Sequence, residues 1–435
     1  MGSIQGRTAP PRRRRLLAVA LGVTVIAATM TACTSTATTV TSSTKSTIPP
    51  SAFSDRTGIT PTSVTVGNVS TLTAGLFQGA AVGTKAYAAY VNSQGGIHGR
   101  KMLVDSYDDT FAGAPNKQAT AEAVQKDFAT VGSFSLQDNF GGVVLAANPQ
   151  VPNVTVSLDT AAADLPNSFS PSPAANGWPL GPLAYFKNKF PDAIAHTGSL
   201  VADQPSAITK WNGERAAMEH LGYHIVYDQQ FDITTTDFNQ YVIAMRNAGV
   251  KILFIEQMPQ NYAAAVVKAL NLQDFHPELV LGASTYSQEL VPNAGGAAAI
   301  DGAFLEQGFA LYLGEDAGSI PAVNTFLSWV QNVSPGFKPD LFTLFGWLSG
   351  QLFAQALQSA GANPSRGSVL KELRGVTSFN GGNLNGTVNP AAKQASNCYI
   401  LAHIVGGKFE RLDTPPVDGP NHGYRCDLPY YSPPT

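Results

Sequence analysis

The chain has 435 residues, a formal net charge of −3, 44% hydrophobic residues and only 13% charged residues. This length is enough for two or more domains of about 150 residues each, and the charge pattern leaves no basic stripe of the kind that binds nucleic acid. A chain that is rich in apolar residues and close to neutral is expected to build large cores and to bind a small molecule.

The first 33 residues carry the pattern of an export signal. Four arginines at 12–15 precede an apolar run at 16–28 that is too short to span a bilayer comfortably. The tetrapeptide at 30–33, which ends in Cys33, resembles a bacterial lipobox whose cysteine becomes lipidated; cleavage near Ala32 without lipidation is the alternative. The arginines leave the twin-arginine export route open beside the general one. Residues 34–58, rich in Thr and Ser at their start, are predicted to form a flexible tether.

Short β-rich runs alternate with helical patterns from Ile59 onward. Strands are predicted at 64–69, 102–104, 130–132 and 154–156, with one helix that ends near Asn92 and another at 116–128. Pro115 suits the first turn of the second helix. The alternation predicts a parallel sheet covered by helices with right-handed crossovers.

A second set of the same kind follows Phe186. Its strands are predicted at 193–196, 224–227, 251–255 and 279–282, and its helices at 209–221, 238–248 and 262–270. In open parallel sheets, ligands lie beyond the carboxyl ends of the strands. Two such sheets in one chain therefore place the expected binding site in a cleft between two lobes.

The cysteines agree with export from the cell. Apart from Cys33, only Cys398 and Cys426 are present, and these two are predicted to form a disulfide that stabilises the terminal segment by about 3 kcal/mol. Two separate thiols are the alternative. The nearest histidines, His403 and His422, show no ligand spacing, so no metal site and no cofactor are expected.

One motif is specific. The segment VNSQGGIHGRK at 91–101 follows the first helix, and Asp108-Asp109 follow the next strand. Four further segments support it: Asp237-Phe238, Gly249-Val250-Lys251, Gln355-Ala356-Leu357 with Ala360-Gly361, and Cys398-Tyr399 with Gly406-Gly407-Lys408-Phe409. With these motifs, residues from about 59 to 431 resemble the type I periplasmic solute-binding proteins of ABC transporters, in the leucine/isoleucine/valine-binding group, and in particular its actinobacterial lipoproteins.

This resemblance implies an α/β fold with two Rossmann-like lobes, each with a parallel sheet, joined by a three-stranded hinge around a ligand cleft. Lobe one would comprise residues 59–180 and 308–365, and lobe two residues 181–307 and 366–435. It also implies a protein without enzymatic activity, a monomer held at the membrane by lipid. Such a protein closes on a small solute, namely a branched-chain amino acid, an amide or a related small carboxylate, and delivers it to an ABC transporter permease.

The resemblance further implies ligand contacts in loops that open lobe-one helices, where free N–H groups favour a carboxylate. The corresponding positions here are Phe77, Ser135, Leu136, Leu158, Asp159 and Thr160. Thr160 stands where the family commonly has a carboxylate-binding threonine, and Ser135 is a second hydroxyl donor. Helix capping is the alternative role for both side chains.

Lobe two departs from the family pattern. Asp203-Gln204-Pro205-Ser206 stands in place of the family's Tyr-Gly pair, and Ser284 is nearest to the position where amino-acid binders have a glutamate that pairs with the ligand ammonium. Tyr286 and Phe77 are candidate aromatic faces for an apolar ligand, and core packing is their alternative role. Glu256, followed by Gln257, is either a substitute carboxylate or a solvated loop acid. Because a buried ammonium needs a charged partner, the hypothesis is that the ligand carboxylate is bound by lobe one and that its other end is not an α-ammonium.

A secreted hydrolase and an extracellular sensor are the two alternatives to a transport function. A secreted hydrolase is disfavoured because the chain has no G-x-S-x-G, H-E-x-x-H or complete S-x-x-K motif set. His220 and His224 are four residues apart, but Gly222 lies between them and argues against a shared helical face. An extracellular sensor with the same fold stays open as an alternative.

Overall fold

The structure, a computed structural model, describes Gly2 and residues 47–433 except 174–176. The predicted export signal with Cys33, and residues 34–46 of the predicted tether, lie outside these residues. A 3-10 helix at Pro50–Phe53 with buried Ala52 already belongs to the folded unit. Among the described helices, none has the length and apolar character needed to cross a membrane.

The described residues form fourteen strands and thirteen α-helices. The strands are β1 (Ser63–Ser70), β2 (Lys101–Asp108), β3 (Ala129–Val131), β4 (Asn153–Val154), β5 (Ser168–Phe169), β6 (Trp178–Pro179), β7 (Thr197–Ala202), β8 (Ile225–Phe231), β9 (Ile252–Phe254), β10 (Glu278–Leu281), β11 (Phe304–Gln307), β12 (Ile400–Val405), β13 (Lys408–Arg411) and β14 (Tyr430–Tyr431). The helices are α1 (Gln78–Ser93), α2 (Gly113–Lys126), α3 (Asp138–Ala147), α4 (Thr160–Ala163), α5 (Leu180–Lys189), α6 (Pro205–His220), α7 (Asn239–Asn247), α8 (Gln260–Leu272), α9 (Leu290–Ala294), α10 (Ala297–Ile300), α11 (Pro321–Val333), α12 (Leu341–Ser359) and α13 (Arg366–Leu373).

Lobe one is built on a parallel five-stranded sheet with the strand order β2-β1-β3-β4-β5. Val66 of β1, Val131 of β3 and Val154 of β4 are fully buried, as expected for strands with helices on both faces. Helix α12 returns late in the chain to pack along α1. The two helices approach so closely at Gly83 that a Cβ on this residue would lie 1.9 Å from the carbonyl oxygen of Thr343.

Lobe two is built on a seven-stranded sheet with the order β13-β12-β11-β10-β9-β7-β8. Strands β7 to β11 are parallel, and the chain then adds the antiparallel hairpin β12–β13 at the edge. Two α/β lobes with parallel sheets were predicted, and the structure confirms them. The antiparallel hairpin was not among the predicted elements.

The strand predicted at 193–196 is wrong in position. Residues Ile194–His196 form a 3-10 helix that follows α5 after a short turn, in which the Ile194 amide donates to Phe190 O at 3.2 Å. The strand is β7, at Thr197–Ala202. The sequence pattern missed this strand because it contains Gly198 and Ser199. Glycine is required at position 198 because a Cβ there would lie 2.8 Å from the Val250 methyl groups.

The family motif at 91–101 shapes a turn. Gly95 and Gly96 follow the end of α1 with φ of 98° and 75°, a left-handed conformation that favours glycine. Asp108 accepts hydrogen bonds from the Leu72 amide at 2.9 Å and from Thr73 Oγ1 at 2.6 Å. Asp109 accepts a hydrogen bond from Thr71 Oγ1 at 2.7 Å, so both acids brace loops.

Three chain segments cross between the lobes and bond to one another. Asn385, in the last crossing, forms an isolated bridge with Phe309 in the second and donates through Nδ2 to Pro171 O in the first, at 3.2 Å. The Gly386 amide donates to Gly308 O at 2.8 Å. A small group of polar contacts thus forms the hinge.

The predicted disulfide is confirmed by the structure, which joins Cys398 to Cys426 across 28 residues of sequence. It holds the C-terminal segment beside β12. From there β14 pairs antiparallel with β6, placing Tyr431 opposite Trp178.

Replacing both cysteines, as Cys398→Ser with Cys426→Ser, is expected to lower the free energy of unfolding by about 3 kcal/mol, since the unfolded chain regains the entropy of a closed loop. Denaturant unfolding with and without dithiothreitol measures this. The reductant should bring the wild-type curve to that of the double variant. Coincident curves without reductant would contradict the prediction.

Candidate functional site

The space between the lobes consists of two adjoining cavities that share Leu158. The first, of about 330 Å³, is lined by residues of both lobes and is called here the carboxyl cavity because Glu256 and Glu306 line it. The second, of about 380 Å³, lies between the loops before α3 and α4 and the start of α6, and is called the loop cavity.

The lobe-one wall of the carboxyl cavity is aromatic. Phe134, which follows β3, and Phe342 and Phe345, at the start of α12, all line it. The ring centroids of Phe134 and Phe342 are 4.6 Å apart, and Phe77 supports both from behind at 4.9 and 4.6 Å. This wall offers a preformed face for an apolar part of a ligand.

The lobe-two wall brings together buried acids. Glu256 follows β9 and Glu306 lies in β11, and since both strands flank β10 in a parallel array, their carboxyl ends meet at one edge. Glu256 is 4% exposed and Glu306 3%, and Glu214 of α6 behind them is fully buried. Trp178 Nε1 donates to Glu306 at 2.8 Å, and Gln257 Nε2 donates to Glu214 at 3.0 Å.

Burial determines the protonation of this cluster. It raises the pKa of Glu306 to about 7, and it raises the pKa of Glu256 and Glu214 well above the usual range, with the neighbouring glutamates adding to the effect. Among the described residues, none forms a hydrogen bond with either oxygen of Glu256 or with Glu306 Oε2. Lys210 lines the same cavity, and burial lowers its pKa to about 8.

The carboxylate of Asp138 lines one side of the loop cavity. Asp138, the first residue of α3, accepts hydrogen bonds from the amides of Leu158 at 2.6 Å and Asp159 at 3.2 Å, and burial raises its pKa to about 6. The Asp159 carboxylate caps α4 by accepting from the Ala162 amide at 2.8 Å. Thr160 is exposed at the cavity rim.

The residues that were predicted from the sequence to contact the ligand fall into three groups in the structure. Leu158, Glu256, Gln257 and Ser284 line the carboxyl cavity. Leu136, Leu158, Asp159, Thr160 and Ser206 line the loop cavity. Phe77, Ser135 and Tyr286 line neither.

Three of the five hydroxyl groups among them have hydrogen-bond partners within the protein. Ser135 donates to Asp109, and Ser284 Oγ lies 2.6 Å from the carbonyl of Glu256 and 2.9 Å from that of Met258. Tyr286 is buried and donates to Glu315 at 2.5 Å. These side chains therefore organise the loops of the cleft.

Sequence reasoning missed Glu306, Trp178, Lys210 and the α12 phenylalanines. Glu306 did carry a signal, because an acid within the apolar run of β11 has no solvent-facing position to occupy. Lys210 and Glu214 lie one helical turn apart on α6, so their spacing in the sequence also predicts that they share one face of that helix. The α12 residues come from a distant part of the chain, and no local pattern links them to the cleft.

The sequence from residue 63 to residue 408 matches the family described as periplasmic binding protein. This stretch is most of the chain, and the chain belongs to that family. Its members bind solutes outside the cytoplasm, so this is an extracytoplasmic solute-binding protein and not an enzyme, as the sequence predicted. No curated protein has a significantly similar sequence.

Solved structures share the fold at low sequence identity. A fatty acid ABC transporter substrate-binding protein from Thermomonospora curvata has a TM-score of 0.71 and 15% identity, over 87% of this chain and 96% of that one. A branched-chain amino acid ABC transporter protein from Thermus thermophilus with bound valine has a TM-score of 0.70 and 15% identity, over 81% and 95%. A leucine-binding protein from Thermotoga maritima has a TM-score of 0.67 and 15% identity, over 80% and 98%.

The raised pKa of Glu306 predicts how stability changes with pH. The pKa of a glutamate in the unfolded chain is near 4.5, and in the folded chain burial raises the pKa of Glu306 to about 7. Between these values the folded chain binds more protons, so the free energy of unfolding falls as pH rises. Glu306→Gln removes this loss and is expected to be more stable than the wild type by up to about 3 kcal/mol near pH 8, but not near pH 4.

Denaturant unfolding of both proteins at several pH values measures this difference. Glu219→Gln is the matched control, because Glu219 is an exposed glutamate of α6, and it should follow the wild-type curve. Parallel curves for Glu306→Gln and the wild type would contradict the assignment.

Proposed function

We propose that this protein, held at the outer face of the cytoplasmic membrane, captures a small solute in the inter-lobe cleft by hinge closure and delivers it to an ABC-type permease. The observation that supports this most is the make-up of the carboxyl cavity. Phe134 and Phe342 of lobe one face Glu256 and Glu306 of lobe two, so closure of the lobes would enclose a solute that contacts both walls.

The proposed ligand contacts are those sequence-predicted residues that line the two cavities, together with the aromatic wall. Leu158 touches both cavities and is therefore central. Solutes named for the structural relatives are valine, leucine and fatty acid, and a branched-chain amino acid, an amide or a small carboxylate is the corresponding range for this chain. Phe77, Ser135 and Tyr286 would act indirectly, by supporting the loops.

The lobe boundaries remain a proposal. From the sequence, lobe one would comprise residues 59–180 and 308–365, and lobe two would resume at residue 366; we propose that α13 belongs to lobe one instead. Arg366 at the start of α13 donates to the Val124 carbonyl at 2.8 Å and pairs with Asp55 at 2.9 Å. Both contacts tie α13 to lobe one.

Membrane attachment is proposed to rest on lipidation of Cys33, with the chain acting as a monomer. The Thr/Ser-rich segment that follows would give the folded unit reach toward a permease.

The aromatic wall is expected to contribute directly to affinity. The solute that co-purifies can be released by denaturation, identified by its mass and titrated back by calorimetry. Phe342→Ala should weaken its binding by about tenfold or more, because an aromatic side chain that packs on a ligand typically contributes over 1 kcal/mol. Leu272→Ala, which changes a 73% exposed residue of α8, is the control; equal affinities for both variants would refute the assigned cleft.

Lipidation is tested by Cys33→Ser expressed in the native host. The wild-type protein should sediment with membranes and dissolve in detergent, whereas the variant should be released or retained with an uncleaved signal. Sedimentation of a correctly processed variant with membranes would show that Cys33 does not anchor the protein.

A further inference from the structure

The carboxyl cavity holds an excess of hydrogen-bond acceptors. Five buried side-chain oxygens of its lining residues have no hydrogen-bond partner among the described residues: both oxygens of Glu256, Glu306 Oε2, Gln307 Oε1 and Asn385 Oδ1. These four residues are between 2% and 5% exposed. Because a buried polar atom without a hydrogen-bond partner is destabilising, this many in one cavity indicates a ligand that supplies donors.

The two amide side chains are held with their oxygens free. Gln307 Nε2 donates to the carbonyls of Phe309 at 3.1 Å and Ala310 at 3.0 Å. Asn385 Nδ2 donates to Pro171 O at 3.2 Å and Gly386 O at 3.0 Å. Since backbone carbonyls can only accept, rotating either amide by 180° would place two acceptors against each other. The remaining oxygens are thus presented as acceptors.

The opposite side of the cleft is poorly suited to a carboxylate. The amides of Leu158 and Asp159 converge on a single point, where they would form an anion site, but the carboxylate of Asp138 already lies there. Asp159 adds a second acid to the same cavity. A solute carboxylate would have to displace Asp138 or lie beside both acids. Lys210 is the one basic residue among those that line the carboxyl cavity.

Building on the proposed function, we propose that the solute presents an amidinium, guanidinium or amine group to Glu256 and Glu306, carries a small apolar body that packs on Phe134 and Phe342, and lacks a carboxylate. A cation with several N–H donors would satisfy the unpaired oxygens and compensate the buried acids at once. This differs from the hypothesis drawn from the sequence, in which lobe one binds a ligand carboxylate. The two hypotheses therefore differ on whether the solute carries a carboxylate.

Three isosteric probes separate them: benzamidine is a cation with four N–H donors, benzamide is neutral, and benzoate is an anion. Calorimetry on the purified chain should give the order benzamidine, benzamide, benzoate from tightest to weakest. Glu256→Gln and Glu306→Gln keep the shape of the side chain but remove the carboxyl group that can become anionic beside a bound cation, and each should weaken benzamidine by about tenfold or more while changing benzamide little. Glu219→Gln is the control and should bind benzamidine as the wild type does.

Three outcomes would overturn the inference. If benzoate or leucine binds more tightly than benzamidine, and Phe342→Ala weakens that binding, the cleft is a solute site but its solute is a carboxylate. If no probe binds and no small molecule is recovered from the denatured protein, the proposed function fails together with the inference. A retained benzamidine affinity in both glutamine variants would also overturn it.

Discussion

The burial of Glu214, Glu256 and Glu306 against one another is the interaction on which the cleft depends. Three carboxyl groups without a basic partner are stable inside a protein only if they keep protons and if donors such as Trp178 reach them. Such an arrangement destabilises the free protein, so the rest of the fold must offset it through its large apolar cores. The same groups become favourable when a ligand supplies what the protein lacks, which makes the cost part of the binding chemistry.

The backbone explains why these acids meet. Strands β9, β10 and β11 are parallel neighbours, so the residue that follows β9 and an acid near the end of β11 reach one edge of the sheet. The C-terminal segment completes this wall. Its disulfide fixes the segment that contains Tyr399 and Cys398, which line the cavity, and β14 holds Trp178 in place through β6. A segment distant in sequence therefore determines the orientation of the indole that donates to Glu306.

Much of the fold could be predicted from the sequence because its signals are local. Alternating strand and helix patterns, the glycines after α1 and the cysteine pair each depend on neighbouring residues or on export chemistry. Strand β7 was misplaced because its Gly198 is dictated by contact with Val250, far along the chain. The site was only half predictable for the same reason: Glu256 follows a clear strand, whereas the neighbours that bury it, Glu306 and Glu214, come from other elements.

The hinge and the cavity share a residue, and this links ligand chemistry to closure. Asn385 joins the first and second crossing segments through its backbone bridge and its amide nitrogen, while its amide oxygen belongs to the cavity lining. A donor that bonds this oxygen would contact the hinge itself. Because a ligand shifts a conformational equilibrium only by its differential affinity for the two states, a contact at the crossing segments is well placed to favour the closed one. Ser135, which corresponds by resemblance to a ligand contact of the family, instead donates within lobe one to Asp109, so at this position the family pattern identifies the fold rather than the solute.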